Sequence, residues 1–305
     1  MKKQQFLGIY QGSPPAGDKE TALSIIEKQA KLFKSSALPS DFENQGENFF
    51  LLIFSEMFLT GYRLEASMLR SSAEVEDGPS FQRVRRIAIE NRISILYGFP
   101  EREKKSEEDQ AKDEGFRIYN SLILVDELGN VLVKYRKTHL YGDYYEKKNF
   151  AAGNMLAPVV SLSSGLRVGV LICFDFEFPE PTRVLALQGA QLIAVPTANT
   201  SKINFYATAT SRAFENQVFV AYVNALGCLI QEEENQASLK KFSCGESCVI
   251  APDGSELARI SGQVERLEIA KIDPDAYQES RRHNPMIEDR RPELYSFITK
   301  GGPNY

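Results

Sequence analysis

The 305-residue sequence predicts an α/β fold in which sheets are covered by helices. Three observations carry that expectation. Strand-like and helix-like segments alternate through the first two-thirds of the chain, the order that builds layered α/β architectures. Several apolar runs, Phe49–Phe54 and Val168–Ile172 among them, have the length and branching of buried strands. No internal repeat and no clear linker interrupts the series, so residues 1–305 read as one domain.

The elements follow in order. Leu7-Gly8-Ile9-Tyr10 is strand-like. Ala22, Ile26, Ala30 and Phe33 recur on one helical face, and Phe49–Phe54 is the next strand. Phe81, Val84, Ile87 and Ala88 mark a second helix, followed by a strand over Ile93–Tyr97. Arg102–Gly115 is dense in Lys, Glu and Asp and reads as a solvated loop within the domain. Ser121–Val125 and Val131–Tyr135 flank Glu127-Leu128-Gly129-Asn130 as a hairpin. Val168–Ile172 runs into Cys173, and Pro179-Glu180 opens a helix. Leu192–Val195 and Val218–Val223 are strands on either side of a helix over Ala207–Asn216. Val249–Leu257 reads as strand, turn, strand around Pro252-Asp253-Gly254. The charged, weakly patterned stretch after Asp273 is not expected to fold on itself.

Composition narrows the function classes. Hydrophobic and charged contents of 43% and 25% are those of a globular protein. Four scattered cysteines do not make a disulfide scaffold, and no apolar run has signal-peptide or membrane-spanning character, so a reducing, cytoplasmic setting is expected. A net charge of −5 without a basic block argues against nucleic acid as a partner, and Arg83, Arg85, Arg86 and Arg92 read as a solvated helix face. Dinucleotide binding lacks its glycine fingerprint. Cys244 and Cys248 have neither a second cysteine pair nor a nearby histidine, so no metal is expected, and no other cofactor is implied.

Three segments carry the chemistry. Cys173 closes a buried strand and precedes a helix start, a tight elbow rich in backbone N–H groups that can favour a thiolate and hold an oxyanion. Glu56 stands just past the end of the Phe49–Phe54 strand, with Gly61 supplying turn freedom. Lys137 stands at the end of the hairpin in Lys134-Tyr135-Arg136-Lys137-Thr138-His139-Leu140. Taken singly, these are a structural cysteine, a helix cap or surface ion pair, and an exposed strand edge. Together they place a base, a cation and a thiol at strand ends, where α/β folds build sites. The set suffices for acyl transfer. Glu56 takes the proton from Cys173 and later from water, Lys137 stabilises the developing oxyanion, and a thioester is hydrolysed. A papain-type Cys-His reading would have to use His139 or His283, and His139 is given a structural role.

In these motifs the chain resembles the carbon–nitrogen hydrolase (nitrilase) superfamily, from Tyr10-Gln11 to the tail. Its Glu-Lys-Cys triad matches Glu56, Lys137 and Cys173 in order. Asp175 and Phe178-Pro179-Glu180 flank the cysteine as in that family, and Ser55 stands where proline is usual. The resemblance implies a four-layer α-β-β-α sandwich and a second glutamate at Glu146, orienting Lys137 and the incoming amide. It implies an oxyanion hole completed by the Phe174 N–H, and substrate contacts at Glu177 and Asn199. It further implies a homodimer or higher homo-oligomer in which 274–305 forms a tail used in subunit contacts. Within the superfamily the likeness is to the aliphatic amidase branch, 5-aminopentanamidase-like enzymes especially. The carrying segments are Val195–Asn199, Arg212–Gln217, Cys244–Ser247 and Asp289–Tyr295. The implied substrate is a small aliphatic amide, ω-amino amides included. N-carbamoyl amine hydrolysis, ω-amidase and nitrilase activity stand as alternatives on the same triad. An inactive homologue acting as a binding module is disfavoured because all triad positions are filled.

Overall fold

Alternation along the strands decides how the chain layers. The computed structural model describes residues 4–37, 48–104, 115–199, 205–230, 240–242 and 245–300. β1 (Gln4–Gln11), α1 (Lys19–Ala37), β2 (Asn48–Ile53), α2 (Ala66–Ser72), α3 (Pro79–Asn91), β3 (Ser94–Lys104), β4 (Phe116–Val125) and β5 (Val131–Arg136) make the first half. Along β1 to β4, Leu7, Ile9, Leu51, Ile53, Leu96, Leu122 and Leu124 turn to one apolar cluster. Their neighbours Tyr10, Phe50, Leu52, Ile95, Tyr97, Ile123 and Val125 turn to another. Successive side chains point to opposite faces, so a strand that is apolar at every position must be covered on both. α1 and α3 cover the outer face through Ala22, Ile26, Phe33, Val84 and Ile87. The inner face meets the second sheet.

That second sheet follows a π-helical turn (Gly142–Glu146) and a short α4 (Lys147–Asn149). Its elements are β6 (Val160–Ser161), β7 (Arg167–Val170), α5 (Pro179–Leu187), β8 (Leu192–Thr197), α6 (Phe205–Asn216) and β9 (Phe219–Asn224). After them come β10 (Cys228–Ile230), β11 (Lys240–Phe242), β12 (Ser247–Ile250), β13 (Glu256–Ile260), β14 (Arg266–Ile272) and α7 (Pro274–His283). The two six-stranded sheets run β14-β1-β2-β3-β4-β5 and β13-β12-β9-β8-β7-β6, and β10–β11 stands apart as a two-stranded hairpin. Val168, Val170, Ile193, Val220 and Val249 join the inner cluster of the first sheet, while Leu185, Ala209 and Ala213 bring α5 and α6 onto the same cluster. The result is the helix–sheet–sheet–helix layering that the resemblance implies. Among the described residues no helix is long and apolar enough to cross a membrane.

Two stretches differ from the sequence reading. The loop expected over Arg102–Gly115 is not what its first residues form, because β3 continues to Lys104 in register with β4, Arg102 opposite Ile118 and Lys104 opposite Phe116. Cross-strand charge holds this polar end. Arg136 donates to Glu101 (2.5 and 2.8 Å) and Glu103 (2.8 Å), and Lys134 donates to Glu101 (2.8 Å). Residues 105–114, like Cys244, lie outside the described residues. The second difference is the stretch after Asp273, whose first part folds back as α7. Asp273 accepts from the Asp275 N–H (3.0 Å), Pro274 sits in the first turn, and Arg281, Arg282 and His283 complement the dipole at the other end. Tyr277 is buried, and Gln217 Nε2 donates to the carbonyls of Ser280 (2.9 Å) and Asn284 (2.5 Å). Caps and one aromatic anchor suffice where apolar periodicity is weak.

Gly98 sets how closely the Glu56 turn can lie on β3. A Cβ at position 98 would stand 2.4 Å from the Met57 backbone nitrogen. Gly98→Ala is therefore expected to cost about 1–3 kcal/mol through backbone displacement. Denaturant titration reads this as a lowered midpoint at constant slope. An unchanged midpoint would show that the contact is not close-packed.

Candidate active site

Each of the three motifs ends a strand, and all three ends meet at the seam between the sheets. β2 delivers Glu56 into a turn in which Met57 has φ 52° and its carbonyl accepts from Thr60 (3.1 Å) and Gly61 (2.8 Å). β5 delivers Lys137, whose backbone N–H donates to the Asn120 carbonyl (2.9 Å) and whose carbonyl accepts from Gly153 (2.8 Å). β7 leads to Cys173, which opens a 3₁₀ turn over Cys173–Glu177 with φ 45°, a left-handed conformation that a β-carbon disfavours.

Lys137 is the centre. Its side chain is wholly buried, as are those of Glu56 and Glu146. Nζ donates to Glu56 Oε1 (2.8 Å) and to Glu146 Oε1 (2.6 Å). Glu56 Oε1 also accepts from Asn120 Nδ2 (2.7 Å), and Oε2 accepts from the Ala198 N–H (2.9 Å). Glu146 Oε1 also accepts from the Tyr62 hydroxyl (2.5 Å), and Oε2 accepts from the Tyr141 N–H (2.6 Å). Lys137 at a strand end is thus no exposed edge, and Glu56 is neither a helix cap nor a surface pair.

Two carboxylates surround one ammonium, and the titration of the site reflects that excess. Burial raises the Glu56 carboxyl above its usual range; the Lys137 charge opposes the rise and Glu146 adds to it. Burial alone would lower Lys137, but Glu56, Cys173 and Glu146 hold it well above the ordinary amine value. Burial, then the charge of Glu56, pushes the Cys173 thiol well up, against the pull of Lys137 and the Ala198 amide. The resting site therefore has a charged lysine and a protonated thiol next to a carboxyl poised high.

Asp175 ties the lysine loop to the cysteine turn. Its Oδ1 accepts from the Thr138 hydroxyl (2.9 Å), the His139 N–H (2.8 Å) and lies 2.8 Å from His139 Nδ1. Oδ2 accepts from the Tyr135 hydroxyl (2.8 Å) and the Ile172 N–H (3.2 Å). His139 also stacks on Phe178 at 4.4 Å, which is the structural part expected of it. Asn199 is held through its backbone, its N–H donating to Asn224 Oδ1 (2.8 Å) and its carbonyl accepting from Asn224 Nδ2 (3.2 Å). Phe174 is half-buried, edge-to-face with Tyr141 (5.2 Å) and Phe178 (5.0 Å). Glu177 is exposed. It does not cap α5, whose N-cap Phe178 makes no side-chain cap bond, and Arg183 turns instead to the Glu215 carbonyl (2.8 Å). Arg212 pairs with Glu215 (3.0 Å) and also donates to the Glu177 carbonyl (3.0 Å), bracing the turn from α6.

Sequence reasoning missed Asn120 and the Ala198 amide as Glu56 partners, and Tyr62 as a Glu146 partner. Asn120 had a weak signal: with Ser121 it is a polar interruption within the strand-like run Ile118–Val125. The Ala198 contact had none, since it spans 142 residues and uses a backbone group.

Comparison with known proteins gives the family. Residues 7–282 match the carbon-nitrogen hydrolase family. The chain belongs to that family. This carbon–nitrogen hydrolase is 44% identical over 252 residues to a hydrolase in the pqqF 5' region of Pseudomonas protegens, 82% of this chain and 81% of that protein. It is 31% identical over 243 residues to an (R)-stereoselective amidase of a Pseudomonas species, 79% of each. Among solved structures, a mutant of the Nesterenkonia AN1 amidase from the nitrilase superfamily superposes with a TM-score of 0.71 at 27% identity, covering 98% of both chains. Another mutant of that amidase, with a TM-score of 0.70, 26% identity and 96% of each chain covered, shows covalent addition of the acetamide moiety of fluoroacetamide at its active-site cysteine. The chain is an amidase-like hydrolase of the nitrilase superfamily.

The Asp175 clamp is testable without substrate. Asp175→Asn keeps the shape but turns an amide donor toward donors, so a loss of about 1–3 kcal/mol is expected. Chemical denaturation reads it, and stability equal to the parent protein would show that the clamp is not needed.

Proposed function

We propose that the protein hydrolyses a small aliphatic amide to carboxylic acid and ammonia through a thioester on Cys173. The observation that carries this reading is the fully buried Lys137, pinned at 2.8 and 2.6 Å between Glu56 and Glu146 beside the Cys173 elbow. Glu56 accepts the thiol proton as sulfur attacks the amide carbon. The oxyanion forms between the Lys137 ammonium and the Phe174 N–H. Glu56 then hands its proton to the departing nitrogen, ammonia leaves, and the thioester remains. A water takes the vacated place, Glu56 removes its proton, and the acid is released with the thiol restored. Glu146 holds Lys137 through Oε1, while Oε2, with one N–H donor from Tyr141, has a lone pair left for an amide N–H of the substrate. Asn199, beside the Ala198 amide that binds Glu56, lines the same end of the site.

A 5-aminopentanamidase-like specificity within the aliphatic amidase branch is the narrower form of this proposal. We place the reaction in the cytoplasm, where a free thiol stays reduced. A homodimer or higher homo-oligomer is supported by exposed apolar side chains on α5 and the tail, Val184, Leu187, Leu294, Phe297 and Ile298. Exposed apolar side chains of this kind are what subunit contacts cover.

Cys173→Ala is expected to lower kcat at least about a hundredfold while the fold is kept, because the covalent path is lost. Glu56→Gln and Lys137→Ala should each cost about a hundredfold or more, without additivity in the double variant. Near parental turnover from any of them would remove that residue from its part. A haloacetamide should label Cys173 well before Cys248, because Cys173 has Glu56 at hand to take its proton whereas Cys248 is fully buried. Peptide mapping that finds equal labelling would contradict the nucleophile assignment. Product analysis of a matched amide and nitrile decides the chemistry, since a nitrile can also add the thiol. Faster acid formation from the nitrile would favour a nitrilase.

The pH dependence follows from Glu56. The base must be ionised to accept a proton, and its carboxyl is raised by burial. kcat/KM should therefore fall with decreasing pH, with its acid limb above the ordinary carboxylate range, and Glu56→Gln should lose that limb. An acid limb at the usual carboxylate value would contradict a buried, raised base.

A further inference from the structure

The two carboxylate oxygens of Glu56 stand in different surroundings. Oε1 accepts from Lys137 Nζ (2.8 Å) and from Asn120 Nδ2 (2.7 Å). Oε2 accepts from the Ala198 N–H (2.9 Å) and from no other group among the described residues. An ionised carboxylate oxygen offers two lone pairs, so Oε1 is filled and Oε2 keeps one open. The Ala198 amide also favours the Cys173 thiolate, so the open oxygen lies on the side of the sulfur. Asn120 makes the difference between the two oxygens. It lies within β4 on the face it shares with Leu122 and Leu124, which turns it to the seam between the sheets. Its main-chain carbonyl accepts from the Lys137 N–H (2.9 Å), so one residue holds the lysine by its backbone and the glutamate by its side chain. Its own Oδ1 is buried without a hydrogen-bond partner. Turning the amide over would bring that oxygen against the carboxylate, so Glu56 fixes its orientation. A buried acceptor left unpaired is destabilising, and native structures keep few of them. Packing alone would be served by leucine, which has nearly the same shape and no orphan oxygen.

We propose that Asn120 is a positioning residue that closes Oε1 of Glu56 and so directs each proton of the reaction to Oε2. The inference rests on the amide-hydrolase reading above and assigns the working atom of its base. As sulfur bonds to the amide carbon, the thiol proton passes to Oε2 and the carbonyl electron pair moves onto oxygen. Oε2 gives that proton to the amide nitrogen as the C–N bond breaks and ammonia leaves. A water then adds to the thioester carbon while its proton passes to Oε2. When the C–S bond breaks, that proton returns to sulfur. Oε1 need not change partners through this cycle. As part of a carboxylate, or as the carbonyl oxygen of the neutral acid, it accepts the same two bonds. A proton on Oε1 would have to displace Asn120 or Lys137 from a buried bond. The titratable groups facing Glu56 are Lys137, Glu146, Cys173 and Tyr62. Burial raises its carboxyl, Lys137 opposes the rise, Glu146 adds to it, and the Asn120 hydrogen bond opposes it. Loss of that bond therefore moves the carboxyl further up.

The test is the pH dependence of Asn120→Leu, read by ammonia release from propionamide, butyramide and pentanamide and by haloacetamide labelling of Cys173. Leucine keeps the volume, removes the Nδ2 donor and leaves the main-chain bond to Lys137 in place. The acid limb of kcat/KM should move up by about one pH unit, because a hydrogen bond to a charged group is lost. On the plateau kcat should fall about tenfold with KM nearly unchanged, since the side chain acts on Glu56 and not on substrate. The labelling rate should show the same displaced limb, and it needs no amide turnover. Asn120→Ser, too short to hold Oε1, should behave alike, so the outcome does not hang on one variant folding. In a Glu56→Gln background, adding Asn120→Leu should leave the labelling rate unchanged, because the residue acts through that carboxylate. A loss of rate with an unmoved limb, in an enzyme that hydrolyses the amides, would overturn the proposal and leave the amidase reading standing. Equal losses with and without Glu56 would do the same. A limb that moves in the labelling assay while the parent releases no ammonia from any of the three amides would keep Oε2 as the acceptor of the thiol proton and bring down the amidase reading.

Discussion

A lysine ammonium with no access to water is the constraint around which the site is built. Taking such an ion out of water costs several kcal/mol even after relaxation, and the loss is offset only by close, well-aligned opposite charge. Lys137 has two carboxylates within 2.8 Å, and each of those is held by further donors: Asn120 and the Ala198 amide on Glu56, Tyr62 and the Tyr141 amide on Glu146. Deleting either acid would strand the other members of the network. The arrangement is also unbalanced by design, with one negative charge in excess. Burial first, and then the neighbouring carboxylates, push the thiol and the Glu56 carboxyl up, and both suit a base-assisted attack.

The fold supplies this network by bringing two sheets to one seam. Lys137 and Glu56 come from the ends of β5 and β2, and Asn120 from within β4, on one sheet, while Cys173, Ala198 and Asn224 come from the ends of β7, β8 and β9 on the other. No single βα unit holds the site, so the sheets must be fixed relative to each other. Polar pins at the seam do this. Ala198 donates to Glu56 across it, Asp175 joins the Ile172 amide to Tyr135, Thr138 and His139, and Gln11 Oε1 accepts from both the N–H (3.0 Å) and the hydroxyl (2.9 Å) of Ser247. Apolar packing between the sheets is non-directional. Hydrogen bonds from buried groups give the register that apolar contact alone leaves free.

The strands, helices and the three motif positions were legible because they rest on local signals: period-two and helical periodicity, turn residues, and reactive side chains at strand ends. Glu56, Lys137, Glu146 and Cys173 are brought together by the structure as the motifs suggested. What sequence could not give is the partner set. Asn120 and Ala198 reach Glu56 over 64 and 142 residues, one of them through a main-chain amide that carries no side-chain signal. Helix α7 was missed for a different reason. Its stability comes from an Asp273 cap, terminal charges and one buried Tyr277, so an apolar stripe is not there to be read. The extension of β3 past Arg102 was hidden by charge, because Glu101 and Glu103 are satisfied by Lys134 and Arg136 on β5, across the intervening β4.

Charge flow along the proposed pathway explains why burial and a neutral thiol are compatible. A free thiolate at this site would add a second excess negative charge in a region already short of solvent, and burial together with Glu56 opposes it. When sulfur attacks only as its proton passes to Glu56, no such state has to accumulate. Glu56 becomes neutral, negative charge appears on the former carbonyl oxygen, and Lys137 exchanges part of one anionic partner for another. The total charge around the ammonium is unchanged through the step. Preorganised donors then act on the oxyanion with little reorganisation, which is where a water-free site has its advantage over solution. The left-handed backbone of Cys173 fits the same logic: the folded turn holds the strain, and the proposed pathway needs the thiol and the following amide to face one oxygen position.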